Sequence, residues 1–281
     1  MRIVLGVDGS KYSEWATGWL AKMRFHAASK VMAVHAVDLH ALRAPFLVQP
    51  VIVGSERYIQ EEIKRLLKRA KLVSSETRDR LAALDVPGTV RIEKGPVAPM
   101  ILKHARRGGL VVVGSRGLDA LDRFMLGSVS TYVTLHAPCS VLVVREPPRP
   151  IRQVVLATDG SPSSAKALTF LIRQFRPLKD GDPIEVTVVH AMPFLKYPEL
   201  KEAAKVLVQR AAERLEKAGY RVREAARLGK PAEEIMKVAK QGRADLIVTG
   251  AKGLGAVARF LLGSVSTKIV QRSTHSVLVV R

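Results

Sequence analysis

One segment of this sequence occurs twice. Gly114-Ser115-Arg116-Gly117 is followed, after nine residues, by Gly127-Ser128-Val129-Ser130, and Gly250-Ala251-Lys252-Gly253 is followed, after nine residues, by Gly263-Ser264-Val265-Ser266. The offset is constant, since 250 less 114 and 263 less 127 both give 136. Each copy follows an apolar run, Leu110 to Val113 or Leu246 to Thr249, and leads into the string Ser-Val-Leu-Val-Val-Arg, at Ser140 to Arg145 and Ser276 to Arg281. Self-similarity at so long a period means two copies of one folding unit. A chain of 281 residues accommodates two domains of roughly 150 residues each.

The rest of each half follows one pattern. Ile3 to Val7 and Val154 to Thr158 are apolar runs closed by Asp8-Gly9-Ser10 and Asp159-Gly160-Ser161, each followed by a helical pattern. Second apolar runs, Val31 to Val37 and Val186 to Met192, contain the steps His35-Ala36 and His190-Ala191. Long amphipathic stretches cover about Glu56 to Leu84 and about Leu200 to Ala218. Third strands end at Gly95-Pro96 and Gly229-Lys230-Pro231, before a short helix and the Gly-motif strand. Strands that are apolar throughout belong to a sheet covered on both faces, and their alternation with helices predicts parallel βαβ units. The expected fold is therefore α/β, two tandem doubly wound domains, each a five-stranded, mostly parallel sheet with helices on both faces. The proline-rich stretch Glu146 to Pro150 marks the boundary, giving domains at 1–146 and 151–281 joined by a stiff linker at 147–150. The halves differ most at Asp38 to Ser55, an insertion in the first copy that is placed to cover a site or an interface.

Composition limits what such a chain can do. No apolar stretch reaches the roughly 18 residues of a membrane span, and Met1 leads directly into a strand pattern, which together point to a cytoplasmic protein. The single cysteine, Cys139, excludes an internal disulfide and the usual cysteine-rich zinc sites, and reads as a small buried residue at the start of a strand. A formal charge of +21 implies non-specific affinity for polyanions, although the cations are dispersed along amphipathic helices as on a solvated face.

Ligands of open parallel sheets sit beyond the carboxyl ends of the strands. Both G-x-x-G segments emerge there. Gly114, Gly117, Gly127 and their counterparts Gly250, Gly253 and Gly263 allow close approach of main chain to an anion, and the helix opened by Ser128-Val129-Ser130 or Ser264-Val265-Ser266 presents free amides to the same space. Ser128 and Ser264 are N-cap candidates, Ser130 and Ser266 offer hydroxyl donors, and Arg116 and Lys252 are flexible cations. Asp8 and Asp159 face the same cleft as partners for a sugar or base, or alternatively serve as helix-start residues with no ligand. Main-chain groups of Ala36 and Ala191 can read an adenine edge, while His35 and His190 read as structural. There is no G-x-x-x-x-G-K-[ST] loop, no G-x-G-x-x-G after the first strand, no G-x-S-x-G elbow and no acidic pair at metal-binding spacing.

Over essentially its whole length the chain resembles a tandem universal stress protein. The family's G-x-x-G, nine residues, G-[ST] signature is met by Gly114, Gly117, Gly127 and Ser128, and again by Gly250, Gly253, Gly263 and Ser264. The strand-one Asp-x-Ser is met at Asp8 and Asp159, and the closing P-x-S-V-L-V-V-R at Pro138 to Arg145. The resemblance implies ATP at two sites, with Mg²⁺ or Mn²⁺ as accompanying ion, adenosine on the strand-one aspartate and the end of strand two, and phosphates on the Gly motif. It also implies a pseudo-two-fold dimer of the two halves through their last strands, with a homodimer of chains as a further step. A regulatory, stress-response role follows from it, and hydrolysis is expected to be slow at most because the sequence shows no general base or metal triad. An ATPase or nucleotidyl-transfer enzyme, or a polyanion binder, are the alternatives. Thr274-His275 stands where the first copy has Pro138-Cys139, and Pro193 follows the second strand of the second copy, so equal affinity of the two sites is not implied.

Overall fold

The computed structural model of the protein describes residues 1–23, 29–39, 55–118, 126–175, 183–193, 198–253 and 262–281. Nearly all of the Asp38 to Ser55 insertion, and most of both nine-residue spacers, lie outside them.

The first half runs β1 (Arg2–Gly6), α1 (Lys11–Lys22), β2 (Lys30–Val37), α2 (Ser55–Ala83), β3 (Gly88–Lys94), α3 (Val97–Lys103), β4 (Leu110–Gly114), α4 (Ser128–His136) and β5 (Ser140–Val144). The second repeats it with β6 (Gln153–Ala157), α5 (Pro162–Gln174), β7 (Glu185–Met192), α6 (Pro198–Glu216), β8 (Arg221–Leu228), α7 (Pro231–Gln241), β9 (Leu246–Gly250), α8 (Ser264–Arg272) and β10 (Ser276–Val280). The expected strands and long helices fall within a few residues of these bounds.

The ten strands among the described residues form one sheet in the order β3-β2-β1-β4-β5-β10-β9-β6-β7-β8. Within each half every neighbouring pair is parallel, as βαβ crossovers require. The halves meet where β5 and β10 pair antiparallel, with Val277 opposite Val143, Leu278 opposite Leu142 and Val279 opposite Val141. The repeated Ser-Val-Leu-Val-Val is thus the seam of a pseudo-two-fold dimer. All five of its residues in each copy are buried, because helices cover both faces.

One apolar layer holds Trp19, Leu5, Leu142, Leu156 and Leu278, and the other Val4, Ile101, Val141, Ile247 and Val277. Each layer takes residues from both halves, so the seam interrupts neither core. The outer strands β3 and β8 are mostly exposed and carry Arg91, Glu93 and Lys94, or Arg221, Arg223 and Arg227. Charged side chains on an edge discourage further strand addition.

The segment between the halves is pinned to both. The Trp19 indole N–H donates to the Glu146 carbonyl at 2.9 Å, and Pro148 packs over Gly18, where a Cβ would lie 2.6 Å from its ring. On the other side the Arg149 guanidinium meets the Asp245 carboxylate at 2.6 Å and donates to the Ala244 carbonyl. Asp245 also accepts from the Arg152 and Gln153 N–H groups, both at 2.8 Å, and so fixes the entry to β6.

Candidate functional site

From β1 the chain of each half turns outward to β2 and β3, then crosses back to β4 on the other side of β1. The loops after β1 and β4 therefore diverge at a topological switch point and leave a crevice between them. A cavity of about 510 Å³ occupies it in the first half, and one of about 280 Å³ occupies the equivalent place in the second.

Asp8, Ala36, Gly114, Arg116, Gly117, Gly127, Ser128, Val129 and Ser130 all line the first cavity. Asp159, Ala191, Gly250, Lys252, Gly253, Gly263, Ser264, Val265 and Ser266 all line the second. Sequence reasoning missed the apolar wall, Val97 and Ile101 from α3 and Pro231 and Ile235 from α7. Its signal was the Pro after the third strand, which opens a helix whose apolar side lines the crevice. It also missed Leu66 and Arg69, which α2 adds to the first cavity.

The turn after β1 separates the roles of the residues in Asp-Gly-Ser. Ser10, not Asp8, caps α1, its hydroxyl accepting from the Ser13 N–H at 3.2 Å. Asp8 accepts the Ser10 N–H on Oδ1 at 2.9 Å, which holds the turn while Oδ2 faces the Gly motif. A Cβ on Gly117 would lie 2.8 Å from that oxygen. Asp159, Ser161 and Ser164 repeat the arrangement, with a Cβ on Gly253 2.8 Å from Asp159 Oδ2.

Gly114 and Gly250 do something else. A Cβ on Gly114 would lie 2.7 Å from the Tyr12 main chain, and one on Gly250 2.6 Å from that of Ser163. These glycines let the first turn of α1 or α5 rest on the end of β4 or β9, at the wall of each cavity.

The structure corrects two further expectations. The N-caps of α4 and α8 are Gly127 and Gly263, one residue earlier than Ser128 and Ser264, and no side chain caps either helix. The reason is the loop bond that precedes each: Gly127 N–H donates to the Ser115 carbonyl at 2.8 Å, and Gly263 N–H to the Ala251 carbonyl at 2.7 Å. The hydroxyls of Ser130 and Ser266 are not spare donors. They are buried and donate to the Ser115 and Gly127 carbonyls, or to Gly250 and Ala251, tying helix to loop. The amides of Ser128, Val129 and Ser130, like those of Ser264, Val265 and Ser266, have no acceptor within their helix and sit at its positive end. So α1 and α5 are closed by serine caps, while α4 and α8 open into the cavities.

The cations differ between halves. Arg116 donates to the Tyr12 hydroxyl at 2.8 Å and stacks over that ring, 5.4 Å from its centroid, so it is held rather than flexible. At the place of Tyr12 the second half has Ser163, whose short side chain offers Lys252 no such platform. The histidines serve the frame: Nδ1 of His35 donates to the Val7 carbonyl at 2.9 Å and Nδ1 of His190 to the Thr158 carbonyl at 2.8 Å, the tautomer following from the carbonyl acceptor.

Cys139 is buried, and burial pushes its thiol up to about 11, far from the thiolate that nucleophilic chemistry needs. Among the described residues no group of three His, Cys, Asp or Glu side chains could hold a metal, and no helix is long and apolar enough to cross a membrane.

The description "Universal stress protein family" fits the sequence twice, at residues 1–145 and 150–281. A universal stress protein of Mycolicibacterium smegmatis is 28% identical over 99% of this chain and 96% of its own length. Universal stress protein Rv1996 of Mycobacterium tuberculosis is 27% identical over 99% of this chain and 94% of its own. The crystal structure of a universal stress protein from Archaeoglobus fulgidus superposes with a TM-score of 0.70 at 20% identity, covering 100% of this chain and 98% of that one, a likeness of fold. With the match covering both halves of the repeat and both cavities, the chain belongs to the universal stress protein family.

Proposed function

We propose that the protein binds an adenine nucleotide, ATP, in each of its two cavities, and that occupancy regulates its interactions in a stress response. The observation that carries this reading is the pair of glycine-capped helices, α4 and α8. Their first-turn amides open into the two cavities with no side-chain cap over them, whereas the helices that follow β1 and β6 are closed by the hydroxyls of Ser10 and Ser161. Phosphates would rest on the amides of Ser128 to Ser130 and Ser264 to Ser266, with Arg116 or Lys252 beside them. The free carboxylate oxygen of Asp8 or Asp159 suits a ribose hydroxyl. Ala36 and Ala191, at the ends of β2 and β7, suit an adenine edge. In this reading residues 1–146 and 151–281 are two nucleotide-binding domains joined at 147–150. A divalent ion such as Mg²⁺ or Mn²⁺ would travel with the nucleotide, held by phosphate oxygens and water with Asp8 or Asp159 nearest, since Mg²⁺ commonly keeps several waters.

Mass spectrometry of small molecules released from the freshly purified, denatured chain tests this, together with calorimetric titration by ATP and Mg²⁺. Two adenine nucleotides per chain are expected. No released nucleotide, and no heat of binding at millimolar ATP, would overturn the reading.

A further inference from the structure

Arg145 and Arg281 each stand one residue beyond the last strand of their half. Because β5 and β10 run antiparallel, each delivers its arginine to the other half. Nη2 of Arg281 donates to the carbonyls of Thr134 and Leu135, at 2.6 and 3.0 Å, in the last turn of α4. Nη2 of Arg145 donates to those of Val270 and Gln271, at 2.5 and 3.3 Å, in the last turn of α8. The main chain crosses as well, Arg145 N–H donating to Ser276 Oγ at 3.1 Å and Arg281 N–H to Ser140 Oγ at 3.4 Å. Burial lowers the pKa of both guanidinium groups, that of Arg145 to about 10.

The residue before each arginine faces its own half. The Val280 carbonyl accepts the Ala251 N–H at 2.8 Å, and the Val144 carbonyl accepts the Ser115 N–H at 2.7 Å. Two consecutive residues, Val280 and Arg281, thus hold the Gly250 loop of the second cavity by main chain and the far end of the first cavity's helix by side chain. Val144 and Arg145 make the reciprocal link. The last carbonyls of a helix have no intrahelical donor, and a cation there complements the negative end of its dipole. With nine residues, α4 is about 14 Å long, so a shift at its held end is transmitted to the amides at the other.

We propose that Arg281 is a positioning residue for the first cavity and Arg145 for the second, so that each half completes the anion cradle of the other and the two cavities are energetically coupled. The affinity part of this inference rests on the nucleotide reading above. The geometric part does not.

Two measurements on the full chain, with R281Q, R145Q and the conservative R281K, separate them. Hydrogen exchange of the amides in α4 and α8 reports cradle order without ligand. R281Q is expected to lose protection in α4 while α8 keeps it, R145Q the reverse, and R281K to fall between, since lysine keeps the charge at the helix end without the guanidinium. Photolabelling by 8-azido-ATP in competition with ATP, read out by peptide mass spectrometry, reports each cavity separately. R281Q is expected to weaken the first cavity about tenfold and the second less, with the reverse for R145Q. Crossed loss of protection without any labelling of the parent chain would remove the nucleotide reading and leave the arginines in their role. Loss confined to each arginine's own half, equal loss in both helices, or no loss would overturn the inference.

Discussion

The two glycines of one G-x-x-G motif are predicted to fail in different ways when given a methyl group. In G114A the new Cβ lies 2.7 Å from the carbonyl carbon and Cβ of Tyr12 and 2.9 Å from its oxygen. Carbon atoms prefer about 3.5–4.0 Å, so α1 must retreat from β4 by close to an ångström, and main chain cannot rotate out of the way. Overpacking of this kind costs up to about 3 kcal/mol, or roughly 6–12 °C in Tm for a chain of this size. In G117A the near atom is Asp8 Oδ2 alone, at 2.8 Å, the end of a side chain that can turn aside. Stability should fall by less than about 1 kcal/mol, but Asp8 leaves its position at the cavity. If ATP binds there as proposed, losing a hydrogen bond to a charged group at about 1.5–3 kcal/mol should weaken it by about 10- to 100-fold. Denaturant melts and calorimetry on G114A, G117A, D8A and the D8A/G117A double variant decide the matter. With Asp8 gone, G117A should change affinity no further. A G117A chain as unstable as G114A, or a G117A effect that persists in D8A, would refute the division of labour.

Burial and the nearby Arg149 guanidinium lower the pKa of His275, against an upward pull from Asp245. A folded-state value below the ordinary 6.5 means the folded chain binds fewer protons, so this contribution to stability is complete above about pH 6.5 and is lost as pH falls through the folded value. H275C, which copies Cys139 of the first half, should narrow the stability difference between pH 7.5 and 5.5 in urea melts; an unchanged difference would assign that slope to other groups. At the seam, Leu278 and Leu142 face each other fully buried. L278D buries a carboxylate without a partner and should cost several kcal/mol, seen as loss of the cooperative melt; a variant with the parent's Tm would show that the halves do not depend on the seam.

Much of the fold was legible because its signals are local. Apolar runs such as Leu110 to Val113, and the glycine and proline stops after them, define strands without reference to anything distant. The constant offset of the repeat did the rest, and the residues singled out around Asp8, Gly114 and Gly127 do line one cavity. What sequence could not give depends on residues far apart in the chain. Arg116 lies 104 positions from Tyr12, the hydroxyl that holds it. Gly127 displaces Ser128 as the cap because Ser115, 12 positions earlier, draws in its amide. The closing arginine of Ser-Val-Leu-Val-Val-Arg looked like the end of a strand, and its carbonyl partners belong to the other copy. The 147–150 linker was expected to be stiff from its prolines, yet what holds its neighbourhood is Trp19 on one side and Asp245 on the other.

These distant contacts join the two halves at the seam while their cavities differ. Either half alone would present a five-residue strand, buried on both faces, as an open apolar edge, and an edge of that kind invites uncontrolled pairing. Antiparallel pairing of β5 with β10 closes both edges at once and places Arg145 and Arg281 on each other's helices. The seam therefore requires both copies to keep the same last strand, and both do. The side chains inside the cavities are not matched in this way: Tyr12 holds Arg116 in one half, Ser163 takes the place of Tyr12 in the other, and the volumes differ by nearly a factor of two. The shared seam fixes the frame, and the two cavities can then differ in affinity while remaining mechanically joined through Val144-Arg145 and Val280-Arg281.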